Sequence, residues 1–117
     1  HLKTLTIGDY YAPDLTALTG LAGLEVLNLH KGSLERLEGL QALRRLRTLS
    51  VGFHPVTDLS PLSGLEQLNY VQLEGLAVTD FSVLAGLPAL GTVVVPADQG
   101  PLVEASCPNC AFELRTY

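Results

Sequence analysis

Apolar side chains recur along this chain with a period of 22 residues. Leu2, Leu24, Leu46, Leu68 and Leu90 open successive units with no insertion between them. Three positions on stand Leu5, Leu27, Leu49, Val71 and Val93; five positions on stand Ile7, Leu29, Val51, Leu73 and Val95. Four further columns hold through the first four units. They are Ala12, Leu34, Val56 and Val78; Leu15, Leu37, Leu59 and Phe81; Leu18, Leu40, Leu62 and Leu84; and Leu21, Leu43, Leu65 and Leu87. Self-similarity at a fixed period signals stacked units, each a small supersecondary element.

The third unit shows the physics. Leu49-Ser50-Val51 alternates apolar and polar, the period of a half-buried strand. Gly52 to Pro55 turns the chain, and Val56 points back inward. Asp58 or Ser60 caps a short helical turn, and Pro61 suits its first residues, which need no N–H donor. Leu59, Leu62 and Leu65 recur every three residues, as in a 3-10 or short α turn, and Gly64 ends it. Asp14, Gly20, Gly23, Gly39, Asp80 and Gly86 punctuate the other units in the same way. One unit cannot bury its own apolar side chains, and stacking units makes the core continuous.

Composition narrows the picture. Of 117 residues 25 are leucine, the apolar fraction is 47% and the charged fraction 16%, which excludes a disordered or collagen-like chain. The length predicts one domain. Net charge is −5, so the chain lacks the basic footprint for phosphate backbones and no nucleic acid partner is expected. No apolar run approaches about 18 residues, so no membrane insertion is expected. No signal-peptide or lipidation pattern is visible, which predicts a cytoplasmic location, with a secreted or surface location as the alternative.

The phrase Leu-x-x-Leu-x-Leu resembles that of leucine-rich-repeat proteins. Val56-Thr57-Asp58-Leu59-Ser60-Pro61-Leu62-Ser63-Gly64-Leu65, echoed from Val78 to Leu87, resembles their 22-residue class. That class includes bacterial internalins, a phosphatase-regulating nuclear protein and the C-terminal sensor regions of NACHT-type NTPases. Gly86-Leu87-Pro88-Ala89-Leu90 is most similar in wording to the NACHT-type proteins of high-GC bacteria. The resemblance implies an α/β leucine-rich-repeat solenoid: a horseshoe with a concave parallel sheet of five strands, short helical or 3-10 convex segments, and a C-terminal cap. The repeats are expected to occupy residues 1–95, with units starting near 2, 24, 46, 68 and 90, and the cap residues 96–117. One column departs from the family. Where it usually carries a ladder of asparagines, this chain has Tyr10, Gly32, His54 and Leu76. Turn backbone groups then need other partners, because buried N–H groups are rarely orphaned. His54 is expected to fill that structural role, and the missing ladder argues against a long, regular adhesin.

With the leucines turned inward, the alternating positions line the concave sheet. The candidate binding residues are Thr4, Thr6, Val26, Asn28, His30, Thr48, Ser50, Phe53, Tyr70, Gln72 and Glu74. Gly8, Gly52, Thr92 and Val94 share these columns, and Asp9, Lys31 and Phe53 lie at the rim. Aromatic residues dominate binding hot spots, so Tyr70 and Phe53 are the expected anchors, with His30 and Glu74 as polar partners. The competing reading is a solvated sheet face, rich in Thr because Thr suits strands. Arg36, Arg44, Arg45 and Arg47 are expected to form a salt-bridged convex surface with Glu35, Glu38 and Glu66.

After Val95 the repeat is expected to stop, broken by Pro96, Gly100 and Pro101. Leu102, Val103, Ala111, Phe112 and Leu114 would then cover the open end of the core. Cys107-Pro108-Asn109-Cys110 allows a reduced pair or local disulfide, half of a zinc site, or a redox pair. Zinc wants four ligands and only Cys107 and Cys110 are at hand, so metal would need a second chain. Redox chemistry lacks its βαβ context. No Ser-His-Asp ordering, phosphate loop or metal-binding helix motif is present, and the recurring Asp14, Asp58 and Asp80 read as caps, so neither enzymatic activity nor a cofactor is expected. Leu2 already lies in a strand and no Met begins the chain, which suggests an excised piece, with His1 from a tag or cleavage. Alternatively, two copies pack end to end through the uncapped N-terminal edge. The expected function is non-enzymatic recognition of a protein partner, as the C-terminal sensor or scaffold region of a bacterial multidomain protein; the alternative is an internalin-like extracellular adhesion module.

Overall fold

The computed structural model describes residues 2–78, 80–107 and 113–116. One parallel sheet runs in strand order β1 to β6. Its strands are β1 (Thr4–Ile7), β2 (Val26–His30), β3 (Thr48–Gly52), β4 (Tyr70–Glu74), β5 (Thr92–Val95) and β6 (Glu113–Thr116). The register is the sequence period itself: Leu5, Leu27, Leu49, Val71 and Val93 pair in a row across five strands. Parallel neighbours need a crossover, and here a turn and a 3-10 segment supply it. Those segments are Thr16–Leu18, Leu40–Ala42, Ser60–Leu62, Ser82–Gly86 and Ala97–Gln99. The three-residue leucine spacing is their signature: Leu18, Leu40, Leu62 and Leu84 donate N–H bonds three residues back, at 2.9–3.1 Å.

The apolar columns form one core. Leu24, Leu27, Leu29, Leu34, Leu37, Leu40 and Leu43 of the second unit are all 1% exposed or less. In the first unit Leu5, Ile7, Ala12 and Leu21 are only partly buried, because β1 has a neighbour on one side only. The aspartates do cap. The Asp58 carboxylate accepts bonds from the Ser60 N–H and hydroxyl, each at 2.9 Å, and Asp80 accepts the Ser82 N–H at 2.9 Å. Asp14 accepts the Thr16 hydroxyl at 2.7 Å and its N–H at 3.2 Å. The Thr16 bonds hold the Asp14 carboxyl below its usual value, helped by Arg36, and the Ser82 bonds do the same for Asp80.

The end of the chain corrects one expectation. The sheet has six strands, not five: β6 pairs in parallel with β5, Val93 opposite Leu114 and Val95 opposite Thr116. This last step is 21 residues, and the helix α1 (Gly100–Ser106) lies in its crossover. A strict 22-residue frame would put Arg115 in an apolar column, which is why the strand escaped the pattern. Val103 and Leu114 serve the core as expected, but Leu102 is 39% exposed. Ala111 and Phe112 lie outside the described residues.

The column lacking asparagines is satisfied otherwise. His54 is 2% exposed, and its Nδ1 accepts the Leu34 N–H at 3.2 Å. Tyr10 donates its hydroxyl to the Asp14 carbonyl at 2.7 Å. Gly32 fits between them: a Cβ there would overlap the Tyr10 carbonyl and lie 3.0 Å from His54 Cε1. Gly32→Ala is expected to cost about 1–3 kcal/mol by overpacking. In a solenoid the damage stays with adjacent units. Hydrogen exchange should therefore accelerate in residues 2–24 and remain unchanged in β4 and β5; uniform acceleration would contradict this.

Candidate recognition face

Alternation along the strands places every second side chain on the concave face. Parallel register converts these into three rows. The first runs Thr4, Val26, Thr48, Tyr70, Thr92 and Glu113; the second Thr6, Asn28, Ser50, Gln72, Val94 and Arg115. The third runs His30, Gly52 and Glu74. Strands about 4.8 Å apart make each row a continuous strip. Thr4, Thr6 and His30 are exposed, and Val26, Asn28, Thr48, Ser50, Tyr70, Gln72, Glu74 and Thr92 are half-buried. Val94 departs from expectation: it keeps its place in the row between Gln72 and Arg115 but is only 8% exposed, and it is not part of the core cluster. Asn28 donates to the Thr6 hydroxyl at 3.2 Å, and Arg115 pairs with Glu113 at 3.2 Å. Among the described residues, the side chains of Thr48, Ser50, Tyr70, Gln72 and Glu74 form no hydrogen bond or ion pair, so their polar groups remain free to meet a partner.

At the end of the strands the chain turns through left-handed backbone at Lys31 (φ 69), Phe53 (φ 59) and Gly75 (φ 62), again 22 residues apart. The Phe53 ring lies over Gly75, where a Cβ would come within 2.5 Å of Cδ1. His30 meets the same ring edge-on, with centroids 5.3 Å apart and planes at 84°. Glu74 and His30 both close over Gly52: a Cβ there would lie 3.3 Å from Glu74 Oε1 and 3.4 Å from His30 Nδ1. Phe53, His30 and Glu74 thus form one corner. Tyr70 stands apart from it, four residues back along β4 from Glu74, about 13 Å at strand rise. The two expected anchors therefore mark opposite ends of the face. Gly52 and Gly75 escaped the sequence reading as site residues, although two glycines in strand-end columns were a readable signal of close approach.

The convex side is more committed. Arg36 lies 3.6 Å from Asp14 and Arg47 lies 3.7 Å from Glu25, so the partners are one repeat away and are not Glu35, Glu38 or Glu66. An open groove of about 340 Å³ is lined by Arg36, Glu38, Gln41, Asp58 and Ser60, among others. Its groups are largely spent: Arg36 on Asp14, Asp58 on Ser60, and Gln41 on the Gly39 N–H at 2.9 Å. Cys107 is buried and disulfide-bonded. Cys110 lies outside the described residues, and no metal-binding cluster occurs among the described ones.

No protein-family model matches the chain. It is 35% identical over 104 residues to leucine-rich repeat-containing protein 56 of Mus musculus, covering 88% of this chain and 19% of that protein. The Homo sapiens protein of the same name is 35% identical over 85 residues, covering 73% of this chain and 16% of that protein. The chain thus spans less than a fifth of the length of the curated relatives it matches. Among solved structures, internalin C2 of Listeria monocytogenes superposes with a TM-score of 0.66 at 32% identity, covering 69% of this chain and 36% of that one. An internalin (inlF) of the same organism superposes with a TM-score of 0.67, covering 97% of this chain and 40% of that one; at 17% identity it speaks for the fold alone.

Proposed function

Because the chain belongs to the leucine-rich-repeat proteins, we propose that it is a non-enzymatic protein-recognition module that binds through its concave face. The observation that carries this is the strip of unpaired polar groups from Thr48 to Gln72, framed by Tyr70 and Phe53. Solenoids present such extended surfaces to partners, and sparse aromatic anchors dominate their energetics. The module acts as the sensing or scaffold region of a larger multidomain protein, with a NACHT-type NTPase as the proposed context. The small share of its relatives' length that it covers supports a larger whole.

The test is affinity capture from source extract, comparing the native protein with a Tyr70→Ala/Phe53→Ala double variant by quantitative mass spectrometry. Loss of a protein captured by the native face is expected, by at least about tenfold for two hot-spot truncations. Equal capture by both would end the concave-face assignment. A second reading, an extracellular adhesion module of internalin type, is favoured by the disulfide at Cys107, since disulfides persist in oxidising compartments. Thiol alkylation in intact cells separates the two, because a reduced Cys107 in the cytosol excludes adhesion.

A further inference from the structure

We infer that the corner formed by Phe53, Glu74 and His30 takes a cationic side chain, arginine or lysine, from the protein partner. This rests on the concave-face reading above.

Position comes first. The left-handed turn recurs at Lys31, Phe53 and Gly75, so the repeat sets the backbone there and leaves the choice of side chain open. Phe53 is 49% exposed, and core packing does not require an aromatic ring at this place. The ring packs over Gly75 on one side and against the His30 ring, with planes at 84°.

Charge comes second. Glu74 is half-buried over Gly52, beside the His30 ring that meets Phe53, and has no ion pair among the described residues. The other charged pair of the face, Glu113 and Arg115, is self-satisfied at 3.2 Å. Glu74 is therefore the one uncompensated formal charge in the strand rows, on a chain of net charge −5. A carboxylate in the same corner as a half-exposed aromatic residue suits a guanidinium or ammonium. The ring attracts the cation through its π face, and the carboxylate accepts its N–H bonds.

The test titrates the chain with N-acetylarginine amide and its neutral isostere N-acetylcitrulline amide, following ¹H–¹⁵N spectra. Saturable shifts centred on Gly52, Phe53, Glu74 and Gly75 are expected with arginine and not with citrulline. Glu74→Gln should weaken arginine binding about tenfold. Phe53→Asn removes the ring while suiting the left-handed backbone, so it keeps the fold and should also weaken binding. Equal shifts with citrulline, or unchanged binding in Glu74→Gln, would overturn the cation assignment. If that happens while the Tyr70→Ala/Phe53→Ala variant still loses its captured partner, the recognition reading survives alone. If arginine binds as expected but capture is unaffected, the recognition reading falls, and with it the partner role of this corner.

Discussion

Phe81→Ala is expected to lower the free energy of unfolding by about 3–5 kcal/mol, the usual range for a buried aromatic truncated to alanine. Phe81 is fully buried in a column whose other members are Leu15, Leu37 and Leu59. Its backbone N–H donates to the Ser106 hydroxyl of α1 at 3.3 Å, and α1 packs on Ser82–Gly86. The void would therefore open under the layer that closes the last crossover. Urea unfolding measures the loss. Phe81→Leu restores the residue used in the earlier units and should cost less than about 1.5 kcal/mol. A loss below about 1 kcal/mol for the alanine variant would mean that α1 collapses onto the void, because the cost depends on how far a site relaxes.

Acid should destabilise the fold through His54 before it does so through any carboxylate with a lowered value. Burial pushes the His54 imidazole below its usual value and the nearby His30 adds to this, while the Leu29 carbonyl opposes it. Nδ1 is occupied by the Leu34 N–H, so Nε2 carries the proton of the neutral ring, buried without a partner of full hydrogen-bond geometry. Above about pH 6.5 both folded and unfolded states hold His54 neutral and its contribution is complete. As pH falls below that value the unfolded chain takes up a proton that the folded one resists, so stability drops through the lower folded value. Asp14 and Asp80, also held below their usual value of 3.8, lose their contributions only at more acid pH. Urea midpoints should therefore fall between pH 7 and pH 5 in the native protein. His54→Asn places an amide oxygen as many bonds from Cβ as Nδ1 and does not titrate, so its midpoints should stay flat across that range. His54→Ala orphans the Leu34 N–H, at about 1–3 kcal/mol. An acid-insensitive native protein would refute the assignment.

The leucine columns, and with them the sheet, core and crossovers, were legible because stacking in register repeats one burial pattern at one period. The structural role of His54 was legible for the same reason, since its column named its task. β6 was hidden by a single-residue change of step that sets Arg115 where the frame wants an apolar residue. On the face, alternation identified the rows, but not which residues meet. Phe53 joins His30 through left-handed backbone and a glycine from the next unit, which no single segment reveals. Ion partners were not legible: Glu35, Glu38 and Glu66 were expected, but Arg36 reaches Asp14 and Arg47 reaches Glu25, each 22 positions back.

The column running Tyr10, Gly32, His54 and Leu76 also fixes the order of the units. Judged by leucines alone, the second and third units are interchangeable, and duplication or loss of one would leave every core contact in kind. Excising residues 46–67 would bring Leu76 to the place of His54, against Gly32, with no acceptor for the Leu34 N–H. Exchanging the two units would set histidine beside tyrosine with no glycine between them. The second and third units are thus not equivalent although their leucines are: removing or exchanging either one breaks a contact that only this order supplies.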